Sequence, residues 1–115
     1  MTEEATTEMA KYIWKIILNS GAIAMSWGID PGSLRQIPNG LKFHVQGLKL
    51  KGNVEIVYDE GSDYFNVSFV RDENITERTT IEDVAFDELA NVIDRNVEYT
   101  GADYEARVKR ELTKL

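Results

Sequence analysis

The sequence predicts an α+β fold: an antiparallel meander sheet of four or five strands with an N-terminal helix and two C-terminal helices packed mainly on one sheet face. Three observations predict it. Apolar residues recur at three- and four-residue spacing over residues 3–19, the period of a helix. From Leu41 to Arg71 they alternate with polar residues, and turn-forming Gly, Asn and Asp interrupt the alternation. After residue 80 helical spacing returns. Helices and strands sorted into separate stretches belong to α+β rather than to alternating βαβ units.

Along the chain, Met9, Tyr12, Ile13, Ile16 and Ile17 give the first helix its stripe, and Glu3, Glu4 and Glu8 stand where the helix dipole favours negative charge. Gly21 reads as its stop. Ala22 to Trp27 alternates as a strand, with Ile23, Met25 and Trp27 on one face and Ala22, Ala24 and Ser26 on the other. Asp30 reads as the N-cap and Pro31 as the first residue of a short helix that Pro38 ends. Asn39-Gly40 turns the chain into the next strand, where Leu41, Phe43 and Val45 alternate with Lys42, His44 and Gln46. At Gly47 the phase slips by one, so that Leu48 and Leu50 take the apolar role, which predicts a β-bulge.

Lys51-Gly52-Asn53 reads as a turn before Val54, Ile56 and Tyr58, and Asp59–Asp63 as a second turn before Phe65, Val67 and Phe69. Asp72-Glu73-Asn74 turns once more, and Ile75 to Ile81 predicts a short polar edge strand. Thr80 with Asp83 has the spacing of a capping box and opens a helix whose apolar face is Phe86, Leu89, Val92, Ile93 and Val97. Thr100 with Asp103 repeats that spacing and opens a last helix to about Lys114, with the narrow stripe Tyr104, Val108 and Leu112. So thin a stripe makes a marginal helix alone. It must dock on its own sheet or on another protomer, which makes a homo-oligomer or a protein partner an expectation. Phe43, Val45, Ile56, Phe65, Val67, Phe69, Leu89 and Ile93 are the predicted core.

A chain of 115 residues suits a single domain over 1–115, with residues 1–4 expected to fray. Without cysteine it has no disulfide, thiol nucleophile or thiolate metal site. The acidic start MTEEATTEMAKY lacks the basic and apolar regions of a secretory signal, and Lys15, Asn19 and Ser20 interrupt the most apolar window, Tyr12–Met25. No membrane association is expected, and a cytoplasmic location is. The formal net charge is −7, concentrated in residues 55–98, where thirteen acidic residues face three basic ones. That balance disfavours nucleic-acid binding and suits a solvated acidic face.

No residue pattern predicts catalysis. His44 is the only histidine and cannot complete a metal site by itself. The frame of a calcium loop counted from Asp59 fails at Gly61 and Val70. Phosphate-binding glycine loops are absent, so no enzyme, cofactor or metal is expected. The candidate binding residues are those that alternate onto the polar sheet face: Lys42, His44, Gln46, Tyr64, Asn66 and Ser68.

Ala22–Gly28, Gly40-Leu41-Lys42-Phe43, the Lys51-Gly52 pair and Asp63-Tyr64-Phe65 resemble small bacterial proteins of unknown function over residues 10–98. The resemblance implies a compact α+β unit and no activity or site. The expected function is therefore a small non-enzymatic protein–protein interaction or accessory module. A small-ligand-binding protein, through the polar sheet face or a pocket near Trp14 and Trp27, is one alternative. An acidic inhibitor that mimics a nucleic-acid backbone is the other.

Overall fold

A computed structural model of the chain describes residues 3–21, 24 and 26–98. It is an α+β fold of helix α1 (Glu3–Leu18), strands β1 (Arg35–Ile37), β2 (Gly40–Gln46), β3 (Lys51–Asp59), β4 (Tyr64–Arg71) and β5 (Asn74–Val84), and helix α2 (Leu89–Val97). The five strands are antiparallel neighbours in chain order, the meander that the alternation predicts. All eight predicted core residues are buried, and they join Ile13 and Ile17 of α1 and Val97 of α2 in one apolar cluster. In α1 the buried stripe is Ala10, Ile13 and Ile17, while Tyr12 lies outside it and is exposed.

Several predicted elements take another form. The stretch read as a strand over Ala22–Trp27 is not one at its described residues: Ala24 is helical, Ser26 and Trp27 lie in a turn, and the Trp27 amide donates to the Ala24 carbonyl at 3.2 Å. Gly21 and Gly28, at φ 62° and 64°, reverse the chain on both sides, which short alternation cannot oppose. Residues 22, 23 and 25 lie outside the described residues. The helix predicted after Asp30 is a single 3-10 turn, Pro31–Ser33. Its cap is as predicted, with Asp30 Oδ1 accepting from the Gly32 amide at 3.0 Å. Pro38 favours an extended residue before it, so Arg35–Ile37 forms β1 instead of a second helical turn. Left-handed Asn39, at φ 59°, then closes the β1–β2 hairpin.

The phase slip at Gly47 marks a strand end rather than a bulge. β2 stops at Gln46, and the Gly47 amide donates to the Leu50 carbonyl at 2.9 Å across the β2–β3 turn. Leu50 is buried, but Leu48 is 69% exposed and takes no core role. Lys51, Gly52 and Asn53 belong to β3 rather than to a turn, because Gly52 lets the Val70 carbonyl approach where a Cβ would overlap it. The irregularities lie between β4 and β5. Val70 faces Arg78 but Arg71 faces Asn74, so 75–77 have no counterpart, and Glu82 with Asp83 stands against Asn66 alone. β5 is longer than predicted, at 11 residues, and contains Thr80 and Asp83, which therefore cap no helix. A 3-10 turn, Phe86–Glu88, leads into α2 and leaves Phe86 exposed. The predicted last helix lies outside the described residues.

Candidate functional site

Strand register brings the polar-face candidates together only in part. One cross-strand row runs Arg35, Lys42, Glu55, Ser68 and Thr80, and the next runs His44, Asn53, Val70 and Arg78. Lys42, His44 and Ser68 are thus neighbours. Asn66 lies beyond them, opposite Val57, with its Oδ1 accepting from the Asp83 amide at 3.3 Å. Gln46 and Tyr64 stand at opposite ends of the sheet, facing Lys51 and Asp59, and do not share a site with each other.

One ion pair and one His–Asp hydrogen bond bridge this face, and sequence periodicity signals neither. Glu55 and Arg78 meet at 3.0 Å across the intervening β4. His44 Nε2 meets Asp72 Oδ2 at 2.8 Å across β3. Ser68 and Thr80 share a hydroxyl hydrogen bond of 2.9 Å beside them. Val70, an apolar residue on the polar face, is only 7% exposed. Its row places it next to Arg78, whose aliphatic stem can lie over apolar surface while its head stays in water. Lys42, half-buried, has no hydrogen-bond or ion-pair partner among the described residues. Among the described residues, the Arg35 guanidinium donates only to the carbonyls of Gly32 and Leu34, each at 2.9 Å. The Ser33 hydroxyl, the one nearest His44 in the hydrogen-bond pattern, accepts from the His44 backbone amide and donates to the Asp30 carbonyl, so backbone groups occupy it.

A second region lies at the end of the sheet where the β2–β3 and β4–β5 turns meet. A cleft of about 310 Å³ is lined there by Leu48, Lys49, Lys51, Arg71, Asp72 and Glu73, with Gly47 and Leu50 beneath. Arg71 Nη1 donates to the Lys49 carbonyl at 3.0 Å, and Lys49 Nζ donates to the Arg95 carbonyl at 2.7 Å. The same turn caps α2. Lys49 and Leu50 amides both donate to the Val97 carbonyl, and the Leu48 amide donates to Glu98 Oε2 at 2.6 Å. Helix ends leave carbonyls without intrahelical donors, and this turn supplies them. Trp27 Nε1 donates to the buried Asp94 carboxylate at 3.0 Å, tying the 26–28 turn to the same helix. Sequence alone signals none of this, because these partners are far apart along the chain.

At the opposite end, the Tyr58 hydroxyl donates to the Asp63 carboxylate. That hydrogen bond, with burial and the negative charges of Asp63, Glu60 and Asp59, raises the Tyr58 phenol above its ordinary range.

Among the described residues no group of three or more His, Asp or Glu side chains could hold a metal ion, and no helix is long and apolar enough to cross a membrane. No protein-family model, curated protein or solved structure matches the chain.

Proposed function

We propose that this chain is a small non-enzymatic protein-interaction module that receives an acidic partner protein on the polar face of its sheet. The observation that carries the reading is the Arg35–Lys42 pair. These cations face each other across β1 and β2, and neither has a carboxylate partner among the described residues of a chain with twenty acidic groups. Glu55, which stands opposite Lys42, is engaged by Arg78. Beside them the row Ile37, Gly40 and Val57 offers half-buried apolar side chains around a glycine, so a partner would find charge and apolar contact together. α1 and α2 send their apolar residues into the core cluster on the other side of the sheet, so neither of these helices covers this face. The cytoplasm is the compartment we assign to it, in keeping with a cysteine-free chain.

The acidic-mimic alternative draws less support. Its two acidic turns, Asp59–Asp63 and Asp72-Glu73, lie at opposite ends of the eight-residue β4, roughly 25 Å apart. A backbone mimic needs one continuous negative surface.

Affinity capture from the native cell tests the proposal with three baits. Wild type should retain an acidic protein that Arg35→Glu with Lys42→Glu loses and that Lys15→Glu, on exposed α1 surface, keeps. Capture indifferent to the charge reversal, or no capture after crosslinking, overturns it.

A further inference from the structure

The geometry points to Asn74 as an acceptor for an N-linked sugar, transferred by another protein from a nucleotide-activated donor. Asn74-Ile75-Thr76 has the Asn-x-Thr spacing of such acceptors, with a residue other than proline between. The triplet leaves the β4–β5 turn on the outermost strand, and all three residues are exposed, Ile75 by 76%. Residues 75–77 have no counterpart on β4, so drawing them into an enzyme's cleft breaks no residue pair of the sheet.

The groups around the amide suit the chemistry. An amide nitrogen is a poor nucleophile, because its lone pair is delocalised into the carbonyl. Here the Thr76 hydroxyl donates to Asn74 Oδ1 at 2.8 Å, and Asn74 Nδ2 donates to Glu77 Oε2 at 3.1 Å. The carboxylate draws the proton from nitrogen, while the hydroxyl stabilises the negative charge that gathers on oxygen. Nδ2 attacks the anomeric carbon of the donor: the N–C bond forms, the C–O bond to phosphate breaks, and the nucleoside diphosphate leaves with that electron pair. Glu77 takes the proton that the nitrogen gives up. A nucleotide-activated donor suits the cytoplasm assigned above.

The chain has a second such triplet, Asn66-Val67-Ser68, which the fold closes. It lies within β4, between β3 and β5, and Val67 is fully buried. Asn66 Oδ1 accepts from the Asp83 amide at 3.3 Å, and the Ser68 and Thr80 hydroxyls bond each other at 2.9 Å. The strand that carries Asn74 is the edge opposite β1, so a sugar there leaves Arg35 and Lys42 clear.

Trypsin separates the two triplets. Cleavage after Lys51, Arg71 and Arg78 puts Asn66 in peptide 52–71 and Asn74 in peptide 72–78. Mass spectrometry of the chain purified from its native cell should find sugar on 72–78 and none on 52–71. Expressed in the same cell, Asn74→Gln and Thr76→Ala should lose the modification, and Thr76→Ser should keep it. Glu77→Gln should carry less of it. These three positions lie outside the core cluster, so the variants should fold. An unmodified 72–78 peptide, sugar on 52–71 instead, or a modification that survives Thr76→Ala would overturn the assignment. None of these outcomes bears on capture through Arg35 and Lys42.

Discussion

Trp27 and Asp94, 67 residues apart in sequence, meet in the core, where the indole nitrogen donates to the carboxylate at 3.0 Å. Trp27 is fully buried and Asp94 is 2% exposed, so the bond is shielded from water. Trp27→Phe keeps an aromatic ring but removes one donor from a buried carboxyl group. We expect a loss of about 1–3 kcal/mol in urea unfolding with an unchanged denaturant slope. A loss below about 0.5 kcal/mol, no more than an ordinary surface change, would mean that the bond does not hold the 26–28 turn to α2.

Gly47 is a second point of close contact. A Cβ there would overlap the Val97 carbonyl oxygen and crowd the Glu98 carboxylate. Gly47→Ala should cost about 1–3 kcal/mol, as overpacking does. Gly61→Ala, whose Cβ would meet only the Asp59 side chain at 3.4 Å, should stay within about 0.5 kcal/mol of wild type. Equal effects at the two sites would contradict the capping arrangement.

The Glu55–Arg78 pair is partly exposed, and its coupling should be modest. A double-mutant cycle with Glu55→Gln and Arg78→Gln is expected to give about 0.2–1 kcal/mol, shrinking as salt is added. Arg78→Ala should cost more than Arg78→Gln, because it also removes the stem beside Val70.

Tyr58 provides a test at alkaline pH. Its phenol donates to Asp63, so the folded state holds the proton more tightly than the unfolded chain does. That stabilisation is full below the unfolded value near 10 and is lost as pH rises through the higher folded value. Ultraviolet titration should show a late-titrating phenol, and Asp63→Asn should move it to lower pH. A titration curve that the substitution leaves unchanged would remove the assignment.

Phe65 tests the core. It lies at the meeting of β3, β4 and β5, opposite both Tyr58 and Val84, with its ring centroid 5.5 Å from that of Tyr58. Phe65→Ala should cost about 3–5 kcal/mol. A measured loss under 1 kcal/mol would put the strand phase in doubt.

Much of the fold is legible where periodicity is long. The alternation of Leu41, Phe43 and Val45, and of Phe65, Val67 and Phe69, sets both strand and face, because a slip of one residue would turn every apolar side chain outward. Short patterns misled. Six alternating residues before Gly28 cannot outweigh two left-handed glycines, and Asp30-Pro31 signals the start of a helix but not its length. The polar face was legible as a face, and Lys42 and His44 as neighbours on it. Its ion pair was not, since Glu55 finds Arg78 only through the pairing of β5, a strand read as shorter than it is. The cleft depends on two turns brought side by side by the β3–β4 register, and nothing local in either turn announces it.

The irregular pairing of β5 bears on how copies of this chain behave when crowded together. An outermost strand usually offers a template on which another strand can grow. Here the regular stretch is only Arg78 to Ile81, interrupted on one side by 75–77 and on the other by Glu82 and left-handed Asp83. A second copy adding antiparallel about a two-fold centred on Arg78 would set that arginine against its twin, and shifting the centre to Glu77 would oppose two glutamates. Fibril growth through this edge is thereby disfavoured in both arrangements, even though Ile75, Thr76, Thr79, Thr80 and Ile81 would otherwise favour it.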